Sequence, residues 1–95
     1  MGELDGLWDV RRLGGLLPPL LGVTKKIDGD GGETRVAGLP GVSFHVAGRE
    51  LRYRRPFAGF VDRLEPAGPD RWRGEATFRG RVFGRFELVR TEPAK

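Results

Sequence analysis

The side chains that most often carry out chemistry in proteins are scarce in this sequence. Its 95 residues include no Cys, one His (His45) and one Ser (Ser43). Without Cys there is no disulfide framework, no thiolate nucleophile and no Cys-ligated zinc site, and a single His excludes a metal site built on several His ligands. We therefore predict no metal site, no cofactor and no enzymatic activity.

The remaining candidates for catalysis or metal binding favour structural roles. Glu75 and Glu87 are predicted to lie on neighbouring strands, each opposite an arginine, whereas a glycosidase needs two convergent carboxyl groups with separated pKa values. His45 is predicted to face outward, opposite Arg52, which favours a surface position over a role as a ligand. The segment 28–32, DGDGG, resembles part of a calcium loop but lacks the late bidentate Glu, so we predict a plain turn.

The chain is basic, with 17 Lys and Arg against 13 Asp and Glu and a net charge of +4. Such a charge suits an anionic partner. The arginines are spread among glutamates along the chain, however, and are not gathered into one patch, which does not favour nucleic-acid binding. No apolar run approaches the ~20 residues of a membrane helix. The acidic segment 1–5 lacks the apolar core of a signal peptide, so the sequence predicts a cytoplasmic protein without a membrane span.

Alternating apolar and polar runs, separated by Gly, Pro and Asp about every ten residues, predict an all-β protein. The predicted strands are 6–13, 23–28, 33–38, 42–47, 50–55, 60–65, 71–79 and 82–90. Eight consecutive antiparallel strands with short turns form an up-and-down meander, and closure into a small barrel removes the two unpaired edges. We predict a single domain over residues 1–95.

The last two strands admit one register that suits both faces of the sheet. A turn at 79–81 places Phe78 opposite Val82 and the small Gly74 opposite the large Phe86. The same register opposes Trp72 to Leu88, Ala76 to Gly84, Glu75 to Arg85 and Arg73 to Glu87. Sliding the pair by two residues would instead bring Glu75 opposite Glu87, which is repulsive.

Two earlier hairpins follow from the same reasoning. A two-residue turn at 48–49, with Gly first as a type II′ turn requires, connects the fourth and fifth strands. This turn pairs Val46 with Leu51, Phe44 with Tyr53 and His45 with Arg52. Between the second and third strands, we predict Ile27 opposite Val36 and Asp28 opposite Arg35.

The two ends of the chain resemble those of the calycin group, which comprises lipocalins, avidins and fatty-acid-binding proteins. Gly6-Leu7-Trp8 resembles the G-x-W that opens the first calycin strand. In lipocalins that Trp closes the barrel floor and a late Arg of the last strand packs across it. The resemblance implies that Arg90 covers Trp8 here, and that the barrel interior binds a small ligand.

Inward-facing positions around the predicted barrel are mostly apolar. They comprise Trp8, Val10, Val23, Ile27, Val36, Val42, Phe44, Val46, Leu51, Tyr53, Phe60, Leu64, Trp72, Phe78, Phe86 and Leu88. Arg12, Lys25 and Asp62 share this inward position. In calycins an inward Arg or Tyr often holds a ligand carboxylate. Alternatively, Arg12 and Lys25 extend to water from strand ends while Asp62 pairs with one of them.

These positions predict a non-enzymatic barrel that binds a small apolar or amphipathic ligand, including an anionic one. The predicted ligand-binding residues are Arg12, Phe44, Tyr53, Asp62, Trp72 and Phe86. The apolar segment 13–22, with two prolines, cannot form a central strand. We predict that its residues 16–21 cover the mouth and that Arg12 holds an anionic head group.

The alternative is a filled barrel that acts as a homodimerising interaction module. Eight strands leave room for one small ligand at most, and aromatic side chains could fill the space. Phe83 and Val89 are predicted on the outer face of the last strand, next to Leu7 and Leu13 of the first. With the leucines of 16–21 they would form an apolar patch suited to a second copy.

Overall fold

The computed structural model describes residues 2–17, 20, 22–36, 39 and 41–91 as one antiparallel sheet closed into a barrel. The eight strands are β1 (Gly6–Gly15), β2 (Val23–Asp28), β3 (Gly31–Val36), β4 (Val42–Ala47), β5 (Glu50–Tyr53), β6 (Phe60–Pro66), β7 (Arg71–Phe78) and β8 (Arg81–Arg90). Each strand pairs with the next along the chain, and β8 pairs with β1. The predicted all-β meander and its closure are confirmed.

Residues 37 and 38, predicted as the end of the third strand, lie outside the described residues, as do 18, 19 and 21 of the predicted mouth segment. Within the described ranges there is no helix with the length and apolarity needed to cross a membrane.

The predicted middle hairpin is confirmed. Phe44 lies opposite Tyr53, and Gly48 has the positive φ of 63° that the first position of a type II′ turn needs. The predicted pairing of β7 with β8 is also confirmed over its central part, where Gly74 faces Phe86. A Cβ atom on Gly74 would overlap the Phe86 ring, so glycine is required for this contact.

A β-bulge corrects the prediction at the end of this hairpin. The register shifts between Ala76 and Thr77, and the turn contains only Arg79 and Gly80, both with positive φ. Phe78 therefore faces Arg81, not Val82. Beyond the bulge the inward and outward faces exchange, so Thr77 is buried while Phe78 is 40% exposed and not interior as predicted.

The predicted pairing of β2 with β3 is wrong by four residues. Ile27 lies opposite Gly32, and Val36 lies opposite Val23. The reason is that Gly31 and Gly32 belong to the strand and not to the turn. A Cβ on Gly32 would overlap the Phe44 ring, so this glycine lets β3 pass close over a large interior side chain. Val36 extends beyond the start of β4 and is 41% exposed.

The closed end of the barrel is a packed floor. Trp8 is fully buried, and its indole Nε1 donates a hydrogen bond to the Leu4 carbonyl at 2.8 Å. The Arg90 guanidinium carbon lies 4.2 Å from the centre of the Trp8 ring, and Arg90 Nη1 donates to the Asp5 carbonyl. Arg90 thus lies across Trp8, which is the contact that the resemblance at the chain ends implies. A Cβ on Gly6 would overlap this guanidinium, which explains the glycine of G-x-W.

Candidate ligand-binding site

Above the floor the barrel encloses a cavity of about 440 Å³. Small-molecule sites usually span ~300–1,000 Å³, so this space is large enough for a ligand. Its apolar wall comprises Val10, Val23, Val42, Ala76, Phe83 and Phe86. Four further residues, Leu17, Leu20, Phe57 and Phe60, line it from the β1–β2 and β5–β6 connections and the start of β6. We call this end of the barrel the mouth.

Four polar side chains from β2, β3, β5 and β6 interrupt the apolar wall. They are Lys25, Thr34, Tyr53 and Asp62, which we call the polar cluster. The strand pairings place Lys25 opposite Thr34, whereas Tyr53 and Asp62 lie near each other on neighbouring strands. Lys25 and Asp62 are only 4% and 7% exposed. The cluster therefore sits in an environment of low dielectric, where its electrostatic contacts are strengthened.

The centre of the polar cluster is a buried ion pair. Lys25 Nζ lies 3.1 Å from Asp62 Oδ2 and 2.7 Å from Thr34 Oγ1, and it also donates to the Tyr53 hydroxyl. The ammonium is surrounded by aromatic rings, with the ring centres of Tyr53 at 5.2 Å and of Phe86 at 5.6 Å. These contacts offset part of the cost of burying a cation.

The pKa values indicate which groups in the cluster carry protons. Burial acts to lower the pKa of Lys25, but the adjacent Asp62 and Tyr53 oxygens outweigh it and raise the pKa above its ordinary 10.5. Burial raises the pKa of Tyr53 above its ordinary 10.0, although Lys25 opposes the shift. At neutral pH Lys25 is therefore a cation and Tyr53 keeps its hydroxyl hydrogen.

Each donor group of the polar cluster has its partners within the cluster. The Lys25 ammonium donates hydrogen bonds to Thr34 and Tyr53 and forms an ion pair with Asp62. The Tyr53 hydroxyl donates to Asp62 Oδ2 at 3.0 Å, so the 2.7 Å contact between Thr34 and Tyr53 is a hydrogen bond donated by Thr34. The cluster can therefore form further hydrogen bonds only by accepting them.

Most of that acceptor capacity lies on one atom, Asp62 Oδ1, since the Thr34 hydroxyl oxygen already accepts from Lys25. Asp62 Oδ1 accepts no hydrogen bond from any residue in the described ranges. Among those residues, Thr91 Oγ1 is the one fully buried side-chain polar atom without a partner, so Asp62 Oδ1 keeps some solvent exposure, and Asp62 is one of the residues that line the cavity. The cavity thus combines an apolar wall with a carboxylate whose second oxygen has no protein partner in the described ranges.

Only part of the sequence-predicted set meets in the cavity. Tyr53, Asp62 and Phe86 line it. Phe44 and Trp72 are buried, but neither side chain lines the cavity. The Arg49 guanidinium carbon lies 5.4 Å from the centre of the Trp72 ring.

Arg12 does not reach the cavity either. It is exposed, and its guanidinium donates to the backbone carbonyls of Gly15 and Leu17 at 2.7 and 2.8 Å. Arg12 therefore holds the end of β1 and the start of the connection after it, because it donates to one backbone carbonyl in each.

Two residues were harder to find from the sequence. Thr34 has the inward position of its strand, but a threonine among apolar neighbours carries no distinctive signal. Phe83 was predicted on the outer face, and it lines the cavity because the bulge in the β7–β8 pair reverses the alternation. Lys25 and Asp62 were recognised as inward, and their mutual pairing was one of the alternatives that the sequence left open.

No family model matches the chain, and no curated protein or solved structure is significantly similar to it. In the described ranges, no three His, Asp or Glu side chains are grouped in a way that could hold a metal ion. The geometry of the cavity is therefore the basis for a functional proposal.

Proposed function

We propose that this protein binds a small amphipathic ligand whose apolar body fills the cavity and whose head group donates a hydrogen bond to Asp62. The observation that carries the proposal is the free Oδ1 of Asp62 beside an apolar space of about 440 Å³. Burial of the apolar body supplies affinity at roughly 25 cal/mol per Å² removed from water, less the cost of immobilising the ligand.

The polar cluster favours an alcohol or an amine over a carboxylate. Lys25 donates to Thr34 and Tyr53 and is neutralised by Asp62, and both hydroxyls donate within the cluster. An anionic head would therefore find these donors already engaged. It would also approach an unpaired carboxylate oxygen. A hydroxyl or ammonium group would satisfy that oxygen, and hydrogen bonds to charged groups stabilise by about 1.5–3 kcal/mol.

The architecture of the barrel ends supports a calycin-like role. Gly6, Trp8 and Arg90 form one interlocked unit at the floor, which leaves the opposite end as the entrance. A closed floor with an open apolar mouth is the arrangement expected of an up-and-down barrel that takes a ligand into its interior.

A competition assay with matched probes tests the proposal. N-phenyl-1-naphthylamine, an apolar dye with one N–H donor, should fluoresce on binding, and 1-octanol or octylamine should displace it more effectively than octanoate, which has the same chain length. Equal displacement by all three would refute the assigned head group. Absence of dye binding would refute the cavity as a ligand site.

Two variants localise the binding. Ala76→Leu adds apolar volume inside the cavity and should abolish dye binding while leaving the fold stable. Ser43→Leu adds the same kind of side chain at an exposed position and should leave binding unchanged. Equal binding by both variants would place the dye outside the barrel.

The homodimer alternative has less support. Leu7 and Leu13 are 43% and 49% exposed on β1, but Leu17, Leu20 and Phe83 of the predicted patch line the cavity. A native mass spectrum of the purified protein separates the two functions. The binding proposal predicts a monomer that carries a small molecule, whereas the alternative predicts an empty dimer.

A further inference from the structure

The two ends of the barrel differ sharply in charge. The connections at the mouth are 16–22, 37–41, 54–59 and 79–80, and none contains an Asp or Glu. The closed end carries Glu3, Asp5, Asp30 and Asp70 in its connections and N-terminal segment. Two cations at that end form ion pairs with these acids, Arg49 with Glu3 and Arg90 with Asp70.

The arginines around the mouth differ from those at the closed end. Arg55, Arg79 and Arg81 are exposed, and none forms an ion pair with another residue in the described ranges. The Arg79 guanidinium lies over the Phe78 ring, 5.3 Å from its centre. These three arginines therefore give the mouth a positive electrostatic potential, which attracts an anionic surface.

Apolar side chains project at the same end. Phe57 and Phe78 are 44% and 40% exposed, and Leu16 and Leu39 are 85% and 63% exposed. The two phenylalanines are held by Phe60, whose ring centre lies 6.5 Å from that of Phe57 and 4.6 Å from that of Phe78. Exposed apolar groups rimmed by one sign of charge mark an interaction site.

We propose that the mouth docks on an anionic lipid surface. Such a surface offers negative headgroups to the arginines and an apolar layer to the leucine and phenylalanine tips, which is the pairing that peripheral membrane anchors use. A nucleic acid would satisfy the arginines but would leave the two leucine tips unpartnered. The docking surface is external, so it stands whether or not the cavity holds a ligand.

Vesicle sedimentation of the full chain tests the docking. The protein should sediment with vesicles of phosphatidylcholine and phosphatidylglycerol at low salt, and added salt should weaken binding because it screens exposed charges. It should not sediment with phosphatidylcholine alone. Equal binding to both vesicles, or no binding to either, overturns the proposal. Binding to single-stranded DNA also overturns the proposal if it prevents vesicle binding and is weakened equally by the mouth variant described in the next paragraph.

A matched pair of double variants localises the contact. Arg79→Asn with Arg81→Gln removes two mouth charges, and it also creates the Asn-Gly pair that suits the positive φ values of this turn. Its partition onto anionic vesicles should fall roughly 30-fold, since each arginine near the surface contributes about five-fold. Arg63→Gln with Arg73→Gln removes two exposed charges from the barrel side and should bind like wild type. Identical binding by the two variants overturns the assignment.

Quenching by brominated lipid tests the apolar part of the contact. Trp8 and Trp72 are buried toward the closed end and should not be quenched. Phe78→Trp places an indole at the mouth, and its emission should be quenched on anionic vesicles whose acyl chains carry bromine. If the variant binds the vesicles but the emission of the introduced indole is not quenched, insertion is contradicted and the docking mode is overturned.

Discussion

Removing the Lys25 ammonium should be among the most damaging single changes in this protein. Lys25→Met keeps a long apolar side chain but leaves the Asp62 carboxylate, 7% exposed, without its counter-ion. Breaking a buried pair in this way costs about 3–5 kcal/mol. A domain of this size has a total unfolding free energy of roughly 5–14 kcal/mol, so the variant should be marginally stable.

Urea unfolding followed by circular dichroism measures this effect. Lys26→Met, the exposed neighbour on the outer face, is the control and should change the unfolding free energy by less than about 0.5 kcal/mol. Combining Lys25→Met with Asp62→Leu removes both charges and should recover most of the loss. The reasoning is refuted if Lys25→Met loses less than about 1 kcal/mol, because the pair would then be hydrated and the cavity wet.

Three further outcomes are expected. Gly74→Val should destabilise by about 3 kcal/mol or more because its side chain overlaps Phe86, and an unchanged melting temperature would contradict the β7–β8 register. Trp8→Ala should cost about 3–5 kcal/mol, and a variant that melts with wild type would contradict the packed floor. Because folding raises the pKa values of Lys25 and Tyr53, both protons are held more tightly in the native state. The melting temperature should therefore fall as pH rises above 10.0 and 10.5, their ordinary values, and a flat alkaline profile in wild type would contradict the buried cluster.

The barrel could be predicted because local pattern and global closure agree. Gly74 opposite Phe86 and the alternation of small and large residues define one register for β7 and β8, and the structure has it. The Gly48–Arg49 turn likewise defines the β4–β5 pair. In these hairpins the turn chemistry and the side-chain pattern point to the same pairing.

The wrong strand pairings and wrong faces arise where a glycine or a β-bulge changes the number of residues between paired positions. Gly31 and Gly32 look like turn residues in the sequence, but they lie in β3 because Phe44 needs the space above them. The bulge after Ala76 has no sequence marker, yet it exchanges the faces of Phe78 and Phe83. An alternating pattern read straight through a bulge assigns every later side chain to the wrong face.

The polar cluster could be predicted only in part. Inward alternation places Lys25, Tyr53 and Asp62 inside the barrel, but it does not reveal which polar groups meet, since that depends on the offset between β2, β3, β5 and β6. Arg12 was a reasonable anchor from alternation alone. Its bonds to Gly15 and Leu17 depend on the path of the chain after β1, which the pattern does not encode.

Intermolecular NOEs between 1-octanol and the protein test the central claim most directly. Binding in the cavity predicts contacts from the alkyl chain to the methyl groups of Val10, Val23 and Val42, with the hydroxyl-bearing carbon nearest the Tyr53 ring. Contacts confined to Leu7 and Leu13 on the outside of the barrel, or a carbinol carbon nearest the mouth, would contradict the assignment of Asp62 as the acceptor of the ligand head group.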